Sequence, residues 1–159
     1  MPGSEPKPET VAVDTSVVVA AHQSWHQHHA AARAGIDRTL AEDEIVLPTR
    51  VLLESFSVMT RMPVPHRLDP ADALTLLSKT FEGSARVVDL PVEEYWALLR
   101  AFAERGVVGG AAYDGEIIEC SIRAGATKIL TFNRSDFERL APDGIRIVIP
   151  EDEARDKTQ

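Results

Sequence analysis

"VAVDTSVVVAAH", residues 11–22, sets a carboxylate, Asp14, inside a run that otherwise reads as a strand bound for a protein core. Burying a lone carboxylate costs several kcal/mol or shifts its pKa until the group neutralises. Asp14 therefore needs a reason to stand where it does. A strand ending in an acid, followed at once by a helical run, places that acid at the carboxyl end of the strand.

Outward from this stretch, strand signals recur at 44–48, 85–90, 127–131 and 145–149. Between them, apolar residues fall at three- and four-residue spacing over 16–41, 49–62, 70–82, 91–105, 114–124 and 135–140, which predicts helices. Strands alternating with helices predict a mainly parallel sheet of about five strands, covered on both faces, in one α/β domain over 11–150. Residues 1–10 and 151–159 are expected to be flexible tails. Punctuation agrees: Asp69 before Pro70, and Pro91 followed by Glu93 and Glu94, suit helix starts, while Gly106 and Gly125 suit left-handed helix ends.

In open α/β sheets, ligands bind beyond the carboxyl ends of the strands. Asp14 lies at that end of the first strand, and Thr131, Asn133 and Asp136 lie at or just past that end of the fourth. Two further acids look misplaced. Glu54 falls near the apolar stripe Val51, Leu52, Phe56 and Met59, and Asp114 starts a helix after a glycine-containing loop, where it could also be a plain N-cap. Asp14, Glu54, Asp114 and Asp136 can converge on one crevice of a parallel sheet. Four carboxylates so placed would repel unless a cation held them. Oxygen donors without cysteine point to Mg²⁺ or Mn²⁺, and such a site suits phosphodiester hydrolysis. Asp14, Asp114 and Asp136 are the candidate metal ligands. Ser16, Thr131 and Asn133 offer groups to orient water or a phosphate.

Composition bounds the rest. The 159 residues carry 25 acids, 17 Lys and Arg and a net charge of −8, which argues against a broad basic field for nucleic acid. Six of the acids and three of the bases lie in the tails, leaving 19 and 14 in the body, so part of the acidity can be one site. Cys120 is the only cysteine, so neither an internal disulfide nor a cysteine zinc cluster is available. No apolar run is long enough for a membrane span and no signal peptide is visible, so a cytoplasmic protein is expected.

The segments "VAVDTSVVVAA", "PTRVLLESFSVM", "AAYDGEIIECSIRAGATKILTFNRSDFERL" and "IRIVIP" together resemble PIN-domain ribonucleases, specifically the VapC-type toxins of bacterial toxin–antitoxin pairs. The resemblance implies a three-layer α/β/α sandwich whose acidic pocket binds Mg²⁺ or Mn²⁺ and cuts RNA as an endonuclease. Carried over by position, the acids are Asp14, Glu54, Asp114 and Asp136, with Glu54 acting through water or as a base. Either Asp136 or Asn133 completes the pocket. Glu116 stands where the family usually has a small apolar residue; it is an extra ligand or, preferably, a solvated helix residue. The family also implies a homodimer and a small VapB-like antitoxin.

Three other features compete for attention. "HQSWHQHH" gathers His22, His26, His28 and His29; without a third zinc ligand and catalytic acid, a solvated or RNA-facing edge is the better reading, with Trp25 as a stacking surface. Arg61, His66 and Arg67 lie in a proline-containing connector, solvated or touching phosphates. Tyr95, Trp96, Leu99 and Phe102 form a helical stripe suited to core or dimer contact. The competing functions are a non-catalytic RNA-binding or scaffold protein and, lower, a phosphatase or receiver. The last two want paired acids at the first strand, where Ser16 stands instead.

Overall fold

The structure is a computed structural model that describes residues 3–156, with the side chains of 154–156 excepted. The order of elements is β1 (Thr10–Val13), α1 (Thr15–Ala21), α2 (His29–Glu42), β2 (Glu44–Pro48), α3 (Thr49–Arg61), α4 (Pro70–Phe81) and β3 (Ala85–Val88). A single 3₁₀ turn (Val92–Glu94) then leads into α5 (Tyr95–Arg105), α6 (Ala111–Arg123), β4 (Lys128–Leu130), α7 (Arg134–Leu140), β5 (Arg146–Val148) and α8 (Pro150–Asp156).

The five strands form one sheet in the order β3-β2-β1-β4-β5, and every pairing is parallel. This is the three-layer α/β/α arrangement that alternating strands and helices predicted. β1 and its neighbours β2 and β4 are buried on both faces, which is why Val11, Ala12, Val13, Ile45, Val46, Leu47, Ile129 and Leu130 form a near-continuous apolar run. After β1 the chain steps outward to β2 and β3, and after β4 it steps the other way to β5. With right-handed crossovers, the two directions send α1–α4 and α5–α7 to opposite faces. The direction reverses between β1 and β4. A crevice opens there, at their carboxyl ends.

Several boundaries differ from the sequence expectation for local reasons. The segment 16–41 divides into α1 and α2 because His22 and Gln23 leave the helical path; their N–H groups still bond Val19 O and Ala20 O, ending α1 in a tight turn. α6 begins at Ala111 rather than at 114, so Asp114 lies in its first turn and is not its N-cap; Gly110 holds that position. Gly106 and Gly125 adopt φ of 68° and 88°, the left-handed conformation expected at the ends of α5 and α6. Residues 151–153 do not lie in a flexible tail. They belong to α8, and Glu153 pairs with Arg38 of α2 and with the buried Lys128 of β4.

The two outer strands carry ion pairs. Arg86 of β3 bonds Glu44, and Arg146 of β5 bonds Glu9. The predicted stripe on α5 splits: Phe102 is buried, Trp96 and Leu99 are exposed, and the Tyr95 hydroxyl donates to Glu116.

Candidate active site

Asp14 occupies the centre of the crevice. It is only 3% exposed, ends β1 and caps α1 by accepting a 2.7 Å bond from the Thr15 N–H through Oδ1. Its Oδ2 accepts from Ser16 Oγ and from Thr131 Oγ1, both at 2.8 Å. A carboxylate offers about four acceptor positions. Three are taken by these bonds, and the Ser16 N–H also favours the charged form. Burial pushes the Asp14 carboxyl above its ordinary range, and the bonds from Ser16, Thr131 and Thr15 draw it partly back.

Ser16 and Thr131 therefore act differently from the sequence expectation. Both protons are spent on Asp14, and the lone pairs are engaged too: Ser16 Oγ accepts from the Phe132 N–H at 3.1 Å, and Thr131 Oγ1 from the Asn133 N–H at 3.0 Å. These hydroxyls hold Asp14 and the chain after β4.

Glu54 of α3 and Asp114 of α6 reach the crevice from opposite faces of the sheet. With Asp14 they line one cavity of about 600 Å³. Burial first, and then the charge of Asp14, raise the Glu54 carboxyl, while Arg50 and Arg61 pull it down. Burial, then the charges of Asp14, Asp136 and Glu54, push Asp114 up to about 6. The charge of Asp14 thus raises both Glu54 and Asp114, and that of Glu54 raises Asp114 further, which places the three acids in one local field.

The remaining expected residues fall differently. Asp136 is close enough to act on Asp114, but it is exposed and held by Arg139 at 2.5 Å on α7, outside the cavity lining. Asn133 does line the cavity. Glu116 is not a solvated helix residue, and its charge reaches Glu54. Its side chain is mostly buried, bonding Arg50 Nε and the Tyr95 hydroxyl at 2.7 Å each, while the Arg50 guanidinium lies over the Tyr113 ring.

The rest of the cavity lining includes the histidine-rich segment, for which the sequence predicts a solvated or RNA-facing edge. Trp25, His26, Gln27 and His28 line the cavity, with Val58 and Met62 from α3 and the residue after it. The clue was present as a histidine-rich break between helical runs, but spacing alone did not turn it toward the acids. His22 and His29 instead pin the break: His22 Nδ1 meets Val18 O and His29 Nδ1 meets Ala20 O. A second cleft of about 380 Å³ between α3 and α4 is lined mainly by Leu52, Leu53, Phe56, Leu74, Leu77 and Val87, and holds none of these acids.

Among the described residues, no three His, Cys, Asp or Glu side chains stand close enough to cage a metal by themselves. The donor set fits a hard divalent ion that keeps several waters and takes one or two carboxylates, with Asp14 and Asp114 the candidates.

A parallel α/β domain with carboxylates gathered at its switch point is the class this geometry defines. The PIN domain family matches residues 11–142, and the chain belongs to that family. Its similarity is to the VapC-type members. It is 34% identical over 121 residues to "Ribonuclease VapC40" of Mycobacterium tuberculosis, covering 76% of this chain and 84% of that protein. It is 36% identical over 104 residues to "Ribonuclease VapC27" of the same species, covering 65% and 71%. Among solved structures it resembles Mycobacterium tuberculosis VapC20, described as a sarcin-ricin loop cleaving toxin, with a TM-score of 0.63 and 14% identity over 84% of this chain and 97% of that one. It also resembles a chain of the VapBC2 complex of Rickettsia felis on promoter DNA, with a TM-score of 0.63 and 15% identity over 88% and 98%.

Proposed function

We propose that this protein is a divalent-metal-dependent endoribonuclease, the toxin of a type II toxin–antitoxin pair, that hydrolyses RNA phosphodiester bonds at the cavity of Asp14, Glu54 and Asp114. The observation that carries the reading is the meeting of these three carboxylates in one cavity, on a chain with VapC ribonucleases among its relatives. When bound, Mg²⁺ or Mn²⁺ supplies positive charge that eases ionisation of water and offsets charge on the phosphate.

The chain's own residues do the placing. Asp14, fixed by Thr15, Ser16 and Thr131, presents a buried carboxylate at the switch point; Asp114 supplies a second carboxylate from α6. Glu54, raised by burial and by Asp14, is suited to accept a proton from attacking water. Asn133, at the cavity edge, can hold a phosphate oxygen through its amide. Asp136 modulates Asp114 through charge, and with its Oδ1 held by Arg139 its Oδ2 is the oxygen left to a ligand role.

The proposed partners follow the same reading: an RNA substrate, a small VapB-like antitoxin and a second copy of this chain, all in the cytoplasm. Among the described residues no helix is long and apolar enough to cross a membrane. The test is RNA cleavage with Mg²⁺ or Mn²⁺. Asp14→Asn and Asp114→Asn are expected to abolish it while leaving the far-ultraviolet circular dichroism unchanged; undiminished cleavage by both overturns the site. The position of Asp136, turned to Arg139, favours a second reading, an RNA-binding or scaffold protein without hydrolysis. Calorimetry separates the two, since that reading requires no Mn²⁺ binding at millimolar concentration.

A further inference from the structure

A net charge of −8 poses a physical difficulty for any RNA-cutting protein. The cavity that would receive a scissile phosphate is itself acidic, so long-range electrostatics do not hold a polyanion there. Affinity has to come from local contacts. The cavity wall facing the acids supplies them in a form that charge counting misses.

Trp25 stands in the break between α1 and α2 with 45% of its surface exposed, yet its ring is fixed. The indole Nε1 donates to Gln23 Oε1 at 2.8 Å, and Gln23 is buried. The indole lies on the His66 ring with centroids 4.1 Å apart and planes 27° from parallel. Two segments distant in sequence, the helix break and the proline-containing connector, are thereby stapled together, with Trp25 lining the cavity and His66 behind it. Beside them, His28 stacks on Phe132 at 4.5 Å and 20°, and His28 Nδ1 bonds Glu151 at 2.8 Å. Trp25, His26, His28 and Phe132 line the same cavity as Asp14, Glu54 and Asp114. Arg61, exposed at the end of α3, is near enough to act on Glu54 and offers a cation beside this wall.

We infer that the Trp25–His66 stack is a nucleobase platform that seats an unpaired base of single-stranded RNA next to the phosphate presented to the acids. A half-exposed indole on a rigid mount, with the His26 ring tilted beside it at 5.6 Å and 48°, suits a base, because stacking needs no charge and little sequence preference. A paired base in a duplex has no free face to offer, so the platform selects unpaired nucleotides. Seating a base at one end of the cavity also sets which phosphate reaches Asp14 and Asp114 at the other. Trp25 is thus a positioning residue. The inference rests on the proposed chemistry of the same cavity.

The test uses the full chain carrying Trp96→Phe, in which Trp25 is the only tryptophan, and a single-stranded 2′-O-methyl oligoribonucleotide that resists cleavage. Titration is expected to quench Trp25 fluorescence. Trp25→Leu is expected to weaken binding, read by anisotropy of a labelled oligonucleotide, by roughly 5- to 100-fold, while Trp25→Phe keeps most of it. Replacing successive nucleotides by abasic ones probes the platform from the RNA side, and one position is expected to match the loss in Trp25→Leu. On cleavable RNA, Trp25→Leu is expected to raise KM with kcat little changed. No quenching with unaltered affinity in Trp25→Leu overturns the platform, as does equal loss in Trp25→Phe or an abasic series without a sensitive position. Each of these outcomes leaves the Asp14 and Asp114 cleavage test standing, so the two readings fail separately.

Discussion

Thr131 Oγ1 donates a 2.8 Å hydrogen bond to Asp14 Oδ2, tying the carboxyl end of β4 to that of β1 across the switch point of the sheet. Thr131→Val keeps the shape and removes the proton. Losing a bond to a buried charged group is expected to lower stability by about 1.5–3 kcal/mol at neutral pH, measured by urea denaturation. RNA cleavage is expected to fall roughly 10- to 100-fold, the usual cost of releasing a metal-site carboxylate from its support. Thr131→Ser, which retains the donor, should recover most of both.

Metal-free protein is expected to lose stability as pH rises from about 4 to about 6. Asp114 has an ordinary value of 3.8 and is pushed up to about 6 in the folded chain by burial and by the charges of Asp14, Asp136 and Glu54. Within that window folded Asp114 binds more protons than unfolded Asp114, so its contribution to unfolding free energy falls with rising pH, opposed by Glu153, whose carboxyl, against the effect of burial, Lys128 and Arg38 hold low. Glu54, raised by burial and Asp14, acts in the same direction as Asp114. Thermal melts in EDTA across this range check the sign, and Asp114→Asn should flatten the slope.

A divalent ion is expected to reverse that loss. At neutral pH, Mn²⁺ at a hundredfold excess over its Kd should add about 2.7 kcal/mol to unfolding free energy. Asp14→Asn and Asp114→Asn should show little of this gain. Asp114→Asn should nonetheless be the more stable chain in EDTA, because it no longer carries a crowded charge. Differential scanning calorimetry with and without Mn²⁺ reads both effects.

Gly115→Ala is expected to disturb the site from behind. A Cβ at Gly115 would lie 2.6 Å from Phe102 Cζ and 2.7 Å from its Cε1, so the buried ring must shift. Exchanging glycine for alanine within a helix favours folding by up to about 1 kcal/mol, while overpacking typically costs about 1–3 kcal/mol. The net expectation is a lower melting temperature and weaker cleavage through displacement of the adjacent Asp114. Phe102→Leu in the same chain should restore much of the stability.

The path from sequence to this site was legible where one residue faced two incompatible demands. Asp14 in an apolar strand, and Glu54 beside the stripe of α3, each carried a charge where burial disfavours it, and both are found at the switch point. The parallel sheet was legible for a related reason, since strands buried on both faces need unbroken apolar runs. Asp136 was misleading because its place after the fourth strand does not reveal that Arg139, three residues on, takes its carboxylate on the outer side of α7. Glu116 misled in the opposite sense: its partners Arg50 and Tyr95 are 66 and 21 residues away, beyond the reach of local periodicity. The wall of Trp25 and His66 depends on a contact between two irregular segments, where no repeating pattern exists to be read.

The ion pairs on β3 and β5 bear on how copies of this chain can meet. Both outermost strands are short, and each carries an arginine bound to a glutamate from a neighbouring segment. Adding a sixth strand at either margin would crowd these charges and gain only three or four rungs of backbone pairing. Edge-to-edge polymers are thus disfavoured at both margins of the sheet, while Trp96 and Leu99 lie uncovered on α5.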